Sequence, residues 1–352
     1  MVGGSKPATR QDVARLAGVS GAAVSVVLNG AKGNIQVSES TRRRIVRAAR
    51  ELNYRVNPAA QALRRQGSAT LGLLMPVSNV VAYTQGIQHQ LSYHVRVAAA
   101  RGGFDLVELA ENENITAGHN PVRLLSNTAL AGLMLMADRH SASEVRGLIR
   151  AGVPVVQLLR QQPSLDCPAV LVDPRPGMIA AIAHLREFGH EHVAFIGGAG
   201  EHPTDRGRVE AFREGMAVHG LRVRRGYVRL GDSSIHSGMT ALRDLLGLSS
   251  APTAVVVGSD IQALGVLRAA YERSWRIPDA LSVVSYDDVF ADFVAPALTS
   301  ITQPLDGVAD AAVELLRRSG EAGVRRAAMA SVVITRPTTL TVRQSTGPVP
   351  MS

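Results

Sequence analysis

Arginine supplies 36 of the 38 basic residues in this 352-residue chain, and these guanidinium groups are unevenly placed. Residues 1–66 hold 12 Lys+Arg against 3 Asp+Glu, and the rest holds 26 of each, so the formal net charge of +9 lies entirely on the first segment. Basic side chains without matching carboxylates are suited to phosphate, through ion pairing and counter-ion release. An unfolded basic tail gives the same charge, but here the charges interleave with apolar residues at helical spacing. Catalytic chemistry is sparse by comparison. His190 and His192 flank Glu191 at a spacing that could hold a metal, but no third ligand follows nearby, and a polar turn between elements accounts for them better. The glycine-rich stretch Ile196-Gly197-Gly198-Ala199-Gly200 lacks the third glycine of a dinucleotide site and the Lys-Ser/Thr pair of a P-loop, which leaves it a loop-shaping role. Met134 and Met136 alternate as strand residues do and read as core. No Ser-His-Asp set, nucleophile elbow or carboxylate pair stands out, so neither an enzyme nor a metal or other cofactor is expected.

The elements that would present the basic groups begin with QDVARLAGVSGAAVSVVLN, residues 11–29. Ala14 is small enough for close helix approach, Gly18 suits the positive φ of a sharp turn, and Val24 can wedge between two helices. Val13, Leu16, Val19, Val27 and Leu28 supply further core, and Ser20 can cap the second helix. This is a helix-turn-helix pattern whose second helix, about Gly21 to Leu28, would enter a DNA major groove. The candidate DNA-facing residues there are Ser20, Gly21, Ala22, Ala23, Ser25, Val26 and Asn29. Ser38 and Glu39 open a third helix, with Ile45, Ala49 and Leu52 on one face and Arg42, Arg43, Arg44, Arg47 and Arg50 on the others. That basic set, with Arg43 the named candidate, fits phosphate contact or a solvated face. Arg55 and Asn57 follow as further candidate contacts. Pro58 then starts a short helix to about Arg65, with Leu63 either an apolar wedge for a minor groove or a buried linker residue.

From Thr70 onward, LGLLMPV, FDLVEL, GLMLMA, PVVQLL, AVLVD, VAFIGG, AVVVGS, LSVVSYDD and SVVIT alternate with amphipathic stretches. Continuously apolar runs suit parallel strands covered on both faces. The fold class expected is therefore α/β: an N-terminal all-α helix-turn-helix headpiece followed by two doubly wound lobes, with a ligand cleft at the carboxyl ends of the strands. No run approaches a signal peptide or a membrane span, and the single Cys167 forms no internal disulfide, so a cytoplasmic location is expected.

With DVARLAGVS, AVSVVLNG, VSESTRRRIVRAARELNYRVNPAAQAL, LGLLMPVSN, HLREFGHEHVAFIGG, RGRVEAFREGM, SDIQALGVLRAAYERSWRIPDALSVVSYDD and LTSITQPLDGVADAAVELL in order, the chain resembles the lac repressor and galactose repressor family of bacterial transcription regulators. The resemblance implies a homodimer on a roughly twofold operator in double-stranded DNA, and a core like the periplasmic sugar-binding proteins. The domains it implies are a headpiece over 1–57, a hinge helix over 58–68, a first lobe from 69–189 and 302–329, a second from 190–301 and 330–343, and a disordered tail over 344–352. It also implies a small effector between the lobes, sugar-like in chemistry. Arg208 stands at the position of a family arginine that donates to the ligand, and Asp287 at that of an aspartate that accepts from ligand hydroxyls. Asn79, Asp173, Ser259 and Gln303 are further ligand candidates, and a structural ion pair is the other reading of Arg208 and Asp287. The departures bear on function. Val26 replaces a family arginine that can reach DNA, and Gly21, Ala22 and Ala23 are too small for bidentate base contacts, so readout of DNA shape must carry more specificity. Met136 replaces a polar lining residue and Ser259 a common asparagine, while Ser233 stands where some members place a stacking aromatic. A ligand-responsive repressor is the expected function, with a constitutive DNA-binding protein carrying a ligand-free core as the alternative.

Overall fold

Helical apolar spacing and two side-chain caps set the first unit. The computed structural model describes residues 10–29, 37–52, 70–77, 85–112, 130–136, 142–199, 203–319 and 330–350. Helices α1 (Arg10–Ala17) and α2 (Gly21–Asn29) meet at Gly18, whose φ of +63° is open to glycine at little cost. The Ser20 hydroxyl accepts from the Ala23 amide at 3.2 Å and caps α2, and Ser38 does the same for Thr41 at 3.3 Å before α3 (Glu39–Glu51). Val13, Ala14, Ala17, Ala23, Val24, Ile45, Ala48 and Ala49 form the small shared core. Leu16, expected inside, is 48% exposed: Ala17, on the adjoining face, takes the buried position instead.

Residues 70–352 form a separate unit of two six-stranded sheets. The first contains β1 (Thr70–Val77), β2 (Asp105–Asn112), β3 (Gly132–Leu135), β4 (Val155–Leu158) and β5 (Ala169–Asp173), with α4 (Gln85–Arg101) and α5 (Ala142–Arg150) between them. The second is built from β6 (Val193–Gly198), β7 (Val228–Gly231), β8 (Ala254–Val257), β9 (Ser282–Asp287) and β10 (Thr299–Thr302), with α6 (Arg175–Glu187), α7 (Pro203–Val218), α8 (Ile235–Leu246) and α9 (Asp260–Glu272). After α10 (Leu305–Ser319), β11 (Val333–Pro337) pairs parallel with β5 and β12 (Thr339–Thr341) pairs antiparallel with β10, one completing each sheet. Parallel ladders buried under helices explain why their strands, such as β3, β6 and β8, are apolar throughout.

The lobe crossings fall elsewhere than the sequence suggests. Met178, Ala181, Ile182 and Leu185 of α6 pack with Val193 and Phe195, so the chain already belongs to the second lobe after Asp173 rather than after Gly189. Gly189, at φ +86°, only ends α6. Leu305, Val308 and Ala312 of α10 pack with Leu71 and Leu73, placing the return at Gln303 and Pro304, close to Ile301. The third crossing lies between Pro337 and Thr338, not near Ala330, because β11 is a first-lobe strand. Proline therefore stands at each crossing, as Pro174, Pro304 and Pro337, fixing φ where the chain changes lobe.

The segment expected as a disordered tail is ordered through residue 350. Ser345 donates to the Val283 carbonyl at 2.5 Å and accepts from the Thr299 amide at 2.8 Å. Buried His190 bonds to the Thr253 and Ser282 hydroxyls, both at 2.9 Å, and to the Gly347 carbonyl at 3.0 Å. Polar groups rather than apolar ones hold this segment down, which hides it from hydrophobicity patterning. His192 pairs with Arg224, and Ser250 stands 3.4 Å away, so each histidine has protein partners.

Candidate functional site

In the headpiece, Ser20 is exposed and Gly21 and Val26 are partly so, on the first two turns of α2. Ala23 is only 9% exposed and belongs to the helix-turn-helix core, so its methyl is committed to packing rather than to a base edge. Ala22, Ser25 and Asn29 lie on α2 with side chains outside the described residues. Arg43 is exposed on α3, 3.7 Å from Glu39 one turn back, a pairing too solvated to hold it from another anion. Arg42, Arg44 and Arg47 are exposed beside it. Arg55, Asn57 and Leu63 lie outside the described residues, as does Asn79.

In the two-lobed unit, the carboxyl ends of the strands enclose a cavity of about 260 Å³. Its lining includes Arg208 from α7, Tyr286 from β9 and Gln303 from the second crossing. Arg208 donates to the Asp287 carboxylate at 3.1 Å and to the Gly258 carbonyl, and its guanidinium carbon stands 4.0 Å from the centre of the Tyr286 ring. Gln303 donates to the same Asp287 oxygen at 2.7 Å. With Arg208 and Asp287 only 17% and 11% exposed, the pair is both stacked and hydrogen-bonded, more than a chance surface contact.

Electrostatics set the character of this cluster. Burial pushes the Asp287 carboxyl up to about 6; Arg208 opposes the rise and buried Asp260 adds to it. Burial also lifts the Tyr286 phenol to about 12, keeping it neutral. The backbone is held in place by a group that the sequence reading passed over. Asp260, 1% exposed at the start of α9, accepts from the Val289 and Phe290 amides at 2.6 and 2.9 Å. That anchor fixes the turn after β9, where Asp287 and Asp288 sit at φ +100° and +58°, a region costly for side chains other than glycine.

The remaining candidates are otherwise engaged. The Ser259 hydroxyl caps α9 by accepting from the Gln262 amide at 3.2 Å. Asp173 faces Arg175, with contacts of 2.9 and 2.8 Å that hold its carboxyl below the usual range. Thus Arg208, Asp287 and Gln303 are brought together, while Asp173 and Ser259 spend their polar atoms locally. Tyr286 and Leu159 are cavity residues that sequence alone did not single out; the signal for Tyr286 was its place beside Asp287 at a strand's carboxyl end.

Comparison with known proteins follows the same division. Residues 9–57 match the family model for bacterial regulatory proteins of the lacI family, and residues 182–346 match that for the periplasmic binding protein-like domain. The ribose operon repressor of Escherichia coli K12 is 31% identical over 313 residues, covering 88% of this chain and 92% of the relative. Catabolite control protein A of Priestia megaterium is 28% identical over 340 residues, covering 96% and 99%. Among solved structures, the lac repressor dimer bound to operator and the anti-inducer ONPF shares 25% identity at a TM-score of 0.80, covering 97% of this chain and 100% of that one. A complex of the transcriptional regulator CelR with cellobiose shares 28% identity at a TM-score of 0.68, covering 96% and 99%.

Proposed function

The chain belongs to the LacI family of bacterial regulatory proteins, and from that premise we propose that it represses transcription as a homodimer on a palindromic operator, under control of a small molecule held between the lobes. The observation that carries this reading is the pairing, in one chain, of a helix-turn-helix unit bearing all the net positive charge with a lobed unit whose cleft gathers Arg208, Asp287 and Gln303. The first is built for a polyanion and the second for a neutral polar ligand. Self-association is supported by Tyr93 and Val97, 56% and 38% exposed one turn apart on α4, and by Val107, 40% exposed on the edge strand β2. Contacts of Glu108 with Ser92 and Arg96 at 2.6 and 2.9 Å hold α4 to β2 beside them. The proposed domains are the headpiece over 1–57, the hinge over 58–68, and two lobes with the crossings given above.

Direct readout of bases is sparse on this reading, since Gly21 and Val26 offer apolar contact only, and DNA shape supplies much of the specificity. Selection of bound sequences from a random duplex library tests it, with the selected site titrated at two salt concentrations. A twofold motif held far above random DNA is the expected result. No enriched motif, with binding that collapses as salt rises, would leave only a nonspecific phosphate binder. The closed Arg208–Asp287–Gln303 set favours one second reading, a constitutive DNA-binding protein whose cleft satisfies itself. Release of the selected duplex by any member of a metabolite panel decides against it.

A further inference from the structure

Sorted by lobe, the cavity has two unlike walls. The first lobe contributes Ile87, Met136, Leu159, Leu171 and Val172, and the second contributes Thr204, Arg208, Tyr286 and Gln303. Among the described residues, the first-lobe wall adds two polar side chains, Arg160 and Gln161, at its margin directly after Leu159, and Gln161 is exposed. From this asymmetry, and resting on the reading of the cleft as an effector site, we propose that the ligand is a single ring with an apolar body and hydroxyl groups along one edge only. The body lies on the first-lobe wall and the hydroxylated edge meets Arg208 and Gln303, which Asp287 holds in place.

Size, hydrogen-bond supply and backbone strain each support this. A cavity of about 260 Å³ lies below the roughly 300–1,000 Å³ of pockets that hold drug-sized ligands, which suits one ring. On the second-lobe wall, Arg208 and Gln303 both donate to one oxygen of Asp287, which holds them in place without itself lining the cavity, so the Gln303 amide oxygen is left as an acceptor beside the Arg208 N–H groups not engaged by Asp287 and Gly258. Two neighbouring hydroxyls, each donor and acceptor, match that set. A fully hydroxylated sugar also turns hydroxyls toward Met136, Leu159 and Val172, and each buried hydroxyl without a partner costs on the order of tenfold in affinity. Leu159 adds an independent sign. It holds φ +61° in the left-handed region, a cost glycine would avoid, while its side chain lines the cavity.

The test uses the full chain in titration calorimetry with cyclohexane-1,2-diol, catechol, a 6-deoxyhexose, D-glucose and D-ribose. The expected result is binding of the two edge diols at least tenfold tighter than glucose or ribose, with the relative strength of catechol and cyclohexanediol distinguishing an aromatic from a saturated natural ring. Leu159→Asn and Met136→Gln, which make the apolar wall polar, are expected to narrow that ratio at least threefold, and an unchanged ratio in both variants overturns the proposal. Tighter binding of glucose or ribose to the parent protein overturns the proposal but leaves the effector reading standing. Binding of none of the five overturns it as well, and operator release by the wider panel then shows whether the effector reading fails with it.

Discussion

Asp287 is pulled in two directions, since burial disfavours its charge and Arg208 favours it. In the unfolded chain it ionises at 3.8, whereas in the fold its value is about 6. Between these values the folded protein holds a proton that the unfolded chain has released. The stability contributed by this group is therefore complete below about pH 4 and is lost as pH rises through about 6. Asp287→Asn has no such proton, so urea melts are expected to show its stability gaining on the parent by on the order of 2 kcal/mol from about pH 4 to about pH 7. A difference that does not vary with pH would mean that Asp287 ionises as an ordinary aspartate. His190 behaves in the opposite sense. Burial holds its imidazole below 6.5, so its contribution is present above that value and lost as pH falls through the depressed one. His190→Ala leaves the Thr253 and Ser282 hydroxyls with one fewer partner each. The expected cost is about 2 kcal/mol at neutral pH, with a shallower decline toward acid than the parent shows in the same melts.

Among the elements, α8 and α9 depend most visibly on what is absent. A Cβ on Gly238 would lie 2.1 Å from the Gln262 carbonyl oxygen, and one on Gly265 2.0 Å from that of Ile235, so the two helices touch backbone to backbone. Rigid backbone cannot yield as a side-chain end can. Gly265→Ala is expected to cost about 3 kcal/mol by chemical denaturation, and a cost under about 0.5 kcal/mol would mean the helices slide apart freely. Legibility in the sequence followed the same logic of burial. Each of the nine apolar runs coincides with a strand; for the inner strands this is because parallel strands covered on both faces need side chains of one kind, while β2 and β11 are partly exposed edge strands. By contrast β7, β10 and β12, as VRLG, TSIT and TLT, are short and mixed in polarity, and only pairing partners far along the chain identify them as strands. For the same reason SVVIT was recognisable as a strand while the resemblance put it in the second lobe, and only its pairing with β5 assigns it to the first. In the cleft, Arg208, Asp287 and Gln303 were legible through family resemblance, whereas the engagement of Ser259 with a helix cap and of Asp173 with Arg175 is a matter of rotamer, which residue types do not disclose.

The two lobes also meet away from the cavity. Gly86 at the start of α4 faces Val289 and Phe290, the residues whose amides Asp260 holds, and a Cβ on Gly86 would come within 2.7 Å of the Phe290 ring. That ring end can swing, so Gly86→Ala is expected to be tolerated. Gly86→Leu drives a wedge between lobes, and a larger radius of gyration in X-ray scattering with at least fivefold weaker binding at the cleft is the expected outcome. Unchanged scattering and affinity would show that this contact has no part in closure. Charge is likewise divided over the whole chain. Removing residues 1–66 takes away the entire +9, so the remaining chain is expected to lose duplex binding at all salt concentrations while keeping its cleft ligand.

The three crossings between the lobes also constrain the order in which the protein can be made. The first sheet, begun at Thr70, lacks its covering helix α10 and its edge strand β11 until residues 305–337 have been synthesised, and by then nearly all of the second lobe has emerged from the ribosome. The second lobe in turn waits for Ser345 and Gly347 to close over His190. Neither lobe has a complete set of partners while the chain is growing. Both must reach their final form late and nearly together, and in the interval the unpaired backbone edges of β5 and β10 are exposed to chaperones or to other nascent chains.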